Sequence, residues 1–396
     1  MKTIKKNLLY LYGYHFFSSF IFAYAIERIY WRSRGMTITQ TVYTEFIYAA
    51  VILLLEIPSG VWADLWSRKR AVVFASFISL LEFILLIFAH NFWHFAFVVA
   101  MAGVGTALYS GALNALLYDT LVEIDKEDDF EKHLGRMRFV TYMSYGVAAI
   151  GAGLIAQYYP LVVTYYLSAI SAALSVICTL LLREPSRHLV QDDEEGQAEG
   201  NPLRLALDFL QSSPLVRRII AYGMLVGGSI TYFDEFSQNY YDAVGIPLLA
   251  FGFLASISAL VGAFSGAQAY TVRKWFHQRP WLLYHILLGS SALAYVSVSV
   301  FRHPVSIVFI YMGMASAAIM EVVSLSDLHR HASSAYRATA ESAYSFIMQV
   351  SSIGFGILFS QLAKINLFAG YSGIGVTLAT GLVILLVLKR PRFQRT

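Results

Sequence analysis

Charge is scarce in this chain. Only 14% of its 396 residues are Asp, Glu, Lys or Arg, against 57% hydrophobic and 15% aromatic, and the mean hydropathy is +0.58. A soluble domain of this length keeps its surface wet with charge at about a quarter of its residues, so a soluble helical protein is set aside in favour of one whose surface faces lipid. Cysteine is almost missing as well: Cys178 is the single one, which excludes an intramolecular disulfide and a cysteine-built metal site. There is no glycine-rich phosphate loop ending in Lys-Ser/Thr, so direct ATP hydrolysis is not expected. Nucleophile-elbow and zinc-protease patterns are missing too, which argues against a membrane hydrolase. Of the ten histidines, His329 and His331 flank Arg330 in a predicted turn with no further ligand nearby, the pattern of a solvated loop rather than a metal centre. No cofactor is expected.

What fills the chain is a succession of apolar runs, each on the order of 20 residues and separated by short polar breaks. The first follows Lys2, Lys5 and Lys6 and contains Tyr, His, Ser and Glu with no small-residue cleavage site, so it reads as a retained helix rather than a removed leader. Twelve runs begin near Leu8, Thr41, Ala71, Phe92, Phe139, Leu161, Ile219, Pro247, Trp281, Val305, Ala343 and Leu367. The expected fold is an all-α polytopic membrane protein of twelve transmembrane helices. With both termini on the cytoplasmic side of a cell (inner) membrane, five of the 29 Lys and Arg fall outside, namely Arg28, Arg32, Arg34, Arg302 and Lys364, and the other 24 inside. The net charge of +4 is scattered over loops and tails and forms no nucleic-acid patch. All six tryptophans (Trp31, Trp62, Trp66, Trp93, Trp275, Trp281) lie near predicted helix ends, where an indole prefers the headgroup layer.

The longest polar interruption, from Arg183 to about Arg218, holds QDDEEGQAEG and then NPLRLALDFLQ, with leucines at helical spacing. It predicts a cytoplasmic linker with a short amphipathic helix at 184–218, between a six-helix bundle at 1–183 and a second bundle with a cytoplasmic tail at 219–396. The halves repeat. Tyr24-x-x-Glu27 matches Tyr232-x-x-Glu235, and Asp119 matches Asp327, each pair 208 residues apart. Gly60 to Arg70, GVWADLWSRKR, has a worn copy 206 residues later in Gly266 to Tyr270 followed by TVRKW.

The stretch GVWADLWSRKR places an aspartate and three successive cations between two apolar runs. It resembles the loop between the second and third helices of the major facilitator superfamily, G-x-x-x-D-R/K-x-G-R-R/K. Gly60, Asp64, Arg68 and Lys69 match, whereas Leu65 and Ser67 replace the usual cation and glycine. Glu56-Ile-Pro-Ser-Gly60 is similar to the EIPTG form of bacterial drug-efflux-like members, and Arg337-Ala-Thr-x-x-Ser342 to a pattern before their eleventh helix. Physically, Gly60 lets two helices approach, and the Asp64 carboxylate suits Arg68 or a helix N-terminus. The resemblance implies a conformational latch of Gly60, Asp64, Arg68, Lys69 and Asp119, with Asp327 and Arg337 in the corresponding cytoplasmic loops of the second half. Arg70 reads as a positive-inside residue only. The fifth run carries Gly146, Gly151 and Gly153 but not the glycine-proline pair of the antiporter motif.

An ionisable group within a span costs on the order of 3 kcal/mol or more at the bilayer centre. The candidates for proton or substrate sites are Glu27, Glu82, Asp234, Glu235 and Glu321. Glu82 falls in mid-span; Glu27 and Glu235 are the repeat-related pair. Glu27 adjoins Arg28 and reads equally as half of an interfacial ion pair. Asp234 and Glu235 repel one another if both are buried, or sit at the outer mouth. Glu321 reads as a proton site or as a bond to a neighbouring helix. Glu45, Glu56 and Glu341 lie near predicted ends and read as structural or gating groups. The 26 tyrosines and 28 phenylalanines suit interhelical packing, lipid contact and a cavity for a hydrophobic or cationic ligand. The resemblance implies secondary transport of a small molecule by alternating access, with proton-coupled efflux of a hydrophobic or amphipathic compound expected. Uptake or facilitated movement of a metabolite, and a nontransporting receptor or scaffold, stay open, as does the oligomeric state.

Overall fold

The computed structural model describes residues 4–65, 67–185, 213–331 and 337–388; within 56–65, 110–111, 337–343 and at 128, 131, 329 and 331 it describes the backbone alone. Regular structure among these residues is entirely helical. In chain order the α-helices are α1 (Lys6–Ser19), α2 (Glu27–Ser33), α3 (Ile38–Leu65), α4 (Arg68–Ile87), α5 (Phe92–Val122), α6 (Phe130–Tyr158), α7 (Val162–Leu181), α8 (Pro214–Ala243), α9 (Leu248–Trp275), α10 (Pro280–Val300), α11 (Ile307–His331), α12 (Arg337–Ala363) and α13 (Leu367–Val387). The starts are chemically marked. Asn91, Ser213 and Asn366 each accept a bond from the backbone N–H three residues on, and Pro214 and Pro280 occupy first-turn positions where no N–H is needed.

Ten of these helices, α3 to α7 and α9 to α13, are long and apolar enough to cross a bilayer. The two predicted spans outside that group are the first of each half, for different reasons. The run expected to start near Leu8 as one helix is two, α1 and α2, joined by Phe20–Phe22 and a 3-10 turn at Ala23–Ala25. Helix α8 is continuous over 30 residues but carries Arg217, Arg218, Asp234, Glu235 and Asp242. The turn expected around His329 and His331 is instead the last turn of α11. The linker and amphipathic helix expected at 184–218 fall mostly on 186–212, outside the described residues.

Helix α7 is polar inward and apolar outward. On α7 the buried stripe is Thr164, Ser168, Ser171, Ser175 and Thr179, at helical spacing, while Tyr166, Ile170, Leu174, Ile177 and Leu181 face outward. Helix α4 likewise turns Phe74, Phe77, Leu81, Ile84 and Phe88 outward. Lipid solvates apolar chains as well as a protein interior does, so helices associate through close packing and hydrogen bonds, which small hydroxyl residues supply. Ser76 and Thr179 share such a bond between α4 and α7 at 2.8 Å.

The described chain divides into two compact units, the residues up to Pro185 with Pro247–Ser256, and 213–246 with 257–388. The first unit has a core of Tyr30, Trp31, Phe83, Phe95 and Tyr165. Within it, Gly252 lies against the backbone of Ala149; a Cβ there would stand 1.8 Å from the Ala149 carbonyl oxygen, so only glycine permits the approach. The second unit is centred on Phe233, stacked on Tyr295 with ring centroids 3.7 Å apart, and on Phe236, Phe359 and Tyr371.

Candidate functional site

Arg68 opens α4 and reaches α5, where its Nη1 donates to Asp119 Oδ2 at 2.5 Å and approaches the Ala115 carbonyl at 3.5 Å. Both partners keep about a quarter of their surface, 26% and 22%. Ser67 caps the helix by accepting from Arg70 N, and the remaining first-turn donors meet a residue the sequence reading passed over. Glu184, just beyond α7, accepts from Arg68 N at 3.0 Å, Lys69 N at 2.9 Å and Ser67 Oγ at 2.5 Å. A carboxylate at a helix N-terminus meets both the free N–H groups and the positive end of the dipole. Gly60 and Asp64 lie in the last turns of α3, with their side chains outside the described residues.

The second unit has an ion pair at the corresponding place. Asp327, buried near the end of α11, accepts from Arg273 at the end of α9 and from Tyr284 Oη of α10 at 2.9 Å. Arg273 also donates to Ser326 Oγ at 3.2 Å. Asp327 was a sequence candidate, whereas Arg273 and Tyr284 were not. The signal for Arg273 was in the worn copy, TVRKW, read as a repeat and not for its cation. Arg337 starts α12 and its side chain lies outside the described residues.

The carboxylates expected within spans separate into two groups. Glu82 projects from the middle of α4 and is half-buried; among the described residues it has no hydrogen bond or ion pair, and it lies within electrostatic range of Glu27, Tyr24 and Tyr48. Glu27 opens α2, just past the break in the first span. The structure therefore brings together two candidates the sequence had placed on different spans. Its neighbour Arg28 is buried and pairs with Glu45 of α3 at 2.7 Å, over the face of Trp31. Trp31 Nε1 donates to Tyr165 Oη at 3.1 Å and Tyr30 Oη to the Leu86 carbonyl, so α2 is firmly seated. In the second unit Asp234 is exposed, Glu235 is half-buried and Glu321 is exposed on α11, within electrostatic range of Tyr344. Asp234 and Glu235 are thus not jointly buried. Tyr232, the counterpart of the exposed Tyr24, is buried and donates to the Ser352 carbonyl at 2.8 Å.

With this geometry in hand, comparison with known proteins is informative. The family model described as Major Facilitator Superfamily matches residues 8–357, and the chain belongs to that family. It is a multi-pass membrane protein. Among curated proteins, it is similar to an uncharacterized transporter of Buchnera aphidicola subsp. Schizaphis graminum, 22% identical over 142 residues. That match spans 36% of this chain and 35% of the relative. Its fold is similar to that of the nucleoside transporter NupG, with TM-score 0.73 and 13% identity over 98% of this chain and 100% of that one. It is also similar to a bacterial homolog to the human lysosomal transporter Spinster in an inward-facing and unoccupied conformation, with TM-score 0.71 and 14% identity over 97% and 95% of the two chains. At such identities the likeness establishes the fold.

Proposed function

We propose that this chain is a secondary active transporter of the drug-efflux-like kind, exporting a small hydrophobic or amphipathic compound in exchange for protons by alternating access. In this reading it lies in the inner membrane with both termini cytoplasmic. The observation that carries the proposal is Glu82. A carboxylate in mid-span is retained for a function or a partner, and Glu82 lies in electrostatic range of a second acid, Glu27, and of Tyr24 and Tyr48. A second carboxylate in range opposes the charge of the first, and a passing cation or a change of solvation shifts that balance. Arg68 and Asp119 act as a latch that biases one conformation, and Arg273 with Asp327 serves the same purpose in the second unit.

The test is proton flux in liposomes holding the purified protein, challenged in turn with lipophilic cations, antibiotics and common metabolites. Flux triggered by an amphipathic compound and reduced by Glu82→Gln is the expected result. Flux triggered by metabolites alone moves the assignment to metabolite transport, and silence across the panel favours uncoupled movement or the scaffold role.

A further inference from the structure

Asn7 is a fully buried amide near the start of α1, at the end of the first unit that carries Arg68 and Asp119. Its Oδ1 accepts from the backbone N–H of Arg183 at 2.9 Å and its Nδ2 donates to the Arg183 carbonyl at 2.8 Å. The same Nδ2 donates to Thr120 Oγ1 of α5 at 3.2 Å. Thr120 follows Asp119, which holds the Arg68 guanidinium, and Glu184 follows Arg183 and holds the Arg68 and Lys69 amides.

These bonds form a closed circuit. From α4 it passes through Arg68 and Asp119 to α5, through Thr120 and Asn7 to α1, through Arg183 to the end of α7, and through Glu184 back to the first turn of α4. A circuit differs from four separate contacts. Each bond holds the ends that the next one needs, so opening any link removes the positional restraint on the others. We infer that Asn7 and Glu184 are positioning residues of the latch that Arg68 and Asp119 form, and that the four elements lock and release together. This inference rests on the latch reading given above, but it concerns how the elements are coupled and its test requires no substrate.

The chain supplies its own probe. Cys178, the single cysteine, sits on α7 about one turn before its end and faces α1, where a Cβ at Gly13 would stand 2.9 Å from its Sγ. Its alkylation by N-ethylmaleimide reports how often α1 and α7 part. The full chain is purified in detergent, with size-exclusion profiles confirming folded protein and labelling in denaturant giving the full signal. Asn7→Ala should speed alkylation about tenfold, and Asp119→Asn and Glu184→Ala, which remove no contact to α1, should each give at least about threefold. The double variant Asn7→Ala with Asp119→Asn should label no faster than Asn7→Ala alone. Thr120→Val keeps the side-chain shape and serves if Asn7→Ala does not fold; it too should accelerate labelling.

Wild-type rates in Asp119→Asn and Glu184→Ala, whatever Asn7→Ala does, would overturn the inference and leave Asn7 as local packing. Multiplying effects in the double variant would also overturn it. Silence in the proton-flux assay with coupled alkylation would fault the transport reading and leave the circuit standing.

Discussion

The two units solve the same packing problem at the start of their first spans, and one of them does so two residues short. Ser144 Oγ donates to the Phe16 carbonyl at 2.5 Å in the first, and Ser351 Oγ to the Met224 carbonyl at 2.7 Å in the second. The partners are 207 and 208 residues apart. Both first spans end on a glycine at positive φ, Gly35 at 90° and Gly245 at 80°. Each is followed by an N–H that closes back over the helix end, Met36 to the Trp31 carbonyl and Ile246 to the Tyr241 carbonyl. Here the offset is 210. Between these fixed points the first unit has two residues fewer, a shortfall of about 3 Å of helix. The chain leaves the α-helix at Phe20, with φ -79° and ψ 57°, and continues through the 3-10 turn at Ala23–Ala25, where each residue rises about 2.0 Å instead of about 1.5 Å. The break in the helix thus lies in the unit with the shorter stretch between these fixed points.

Tyr24-x-x-Glu27 and Tyr232-x-x-Glu235 match in sequence but differ in surroundings. The offset is 208 at both Tyr24 and Glu27 and becomes 210 only by Gly35, and Glu27 starts a new helix while Glu235 stays within an unbroken one. Backbone groups freed in a membrane interior must find partners, and serines of neighbouring helices provide them. Ser168 Oγ accepts from Ala23 N at 2.9 Å and Ser171 Oγ donates to the Phe17 carbonyl at 2.8 Å.

The comparison can be broken at several points. The largest expected effect is in the ion pairs. Asp327 is buried and bonded to Arg273 and Tyr284, so Asp327→Asn leaves a poorly solvated cation and should cost about 3 kcal/mol. The equivalent Asp119→Asn, in a more accessible pair, should cost at most about 1 kcal/mol. Thermal unfolding of the two variants in detergent checks the contrast; equal losses would show that the units are balanced alike. Next comes coupling. Glu82→Gln should lower substrate-driven proton flux about tenfold, or roughly 1.4 kcal/mol of barrier, whereas Glu235→Gln should change it less than about twofold. The reverse order would move the proton site to the second unit. The smallest effect concerns the break. Ser168→Ala removes the acceptor from a buried amide and should destabilise by about 1 kcal/mol, while Ser351→Ala, against an intact helix, should cost about half as much. Slowed hydrogen exchange at Ala23 in Ser168→Ala would contradict this account.

Much of the architecture was legible because its signals are local. Apolar length between charged breaks marked most helix starts to within about six residues, the exception being Phe139, nine residues inside the helix that begins at Phe130. Arg68 was found through a motif with fixed spacing, and Asp119 through the family resemblance and its repeat partner Asp327. Asn7, Glu184, Arg273 and Tyr284 were missed because nothing in their own neighbourhoods sets them apart: an Asn near a membrane entry and a Glu after a span are ordinary there. Their meaning comes from partners 43 to 176 residues away. The proximity of Glu27 and Glu82 was hidden for the same reason.

Composition alone determined that this chain folds in lipid, because 14% charge cannot wet a surface of this size, and the repeat offsets alone raised the expectation of two related halves. Hydrophobic length and local caps act within one helix, so they are written in consecutive residues. Which helix is unwound, which acids come within electrostatic range of one another, and which carboxylate caps α4 were decided only by the tertiary structure. Those outcomes depend on the distance between fixed ends and on buried polar groups finding distant partners, and neither quantity exists until the helices pack.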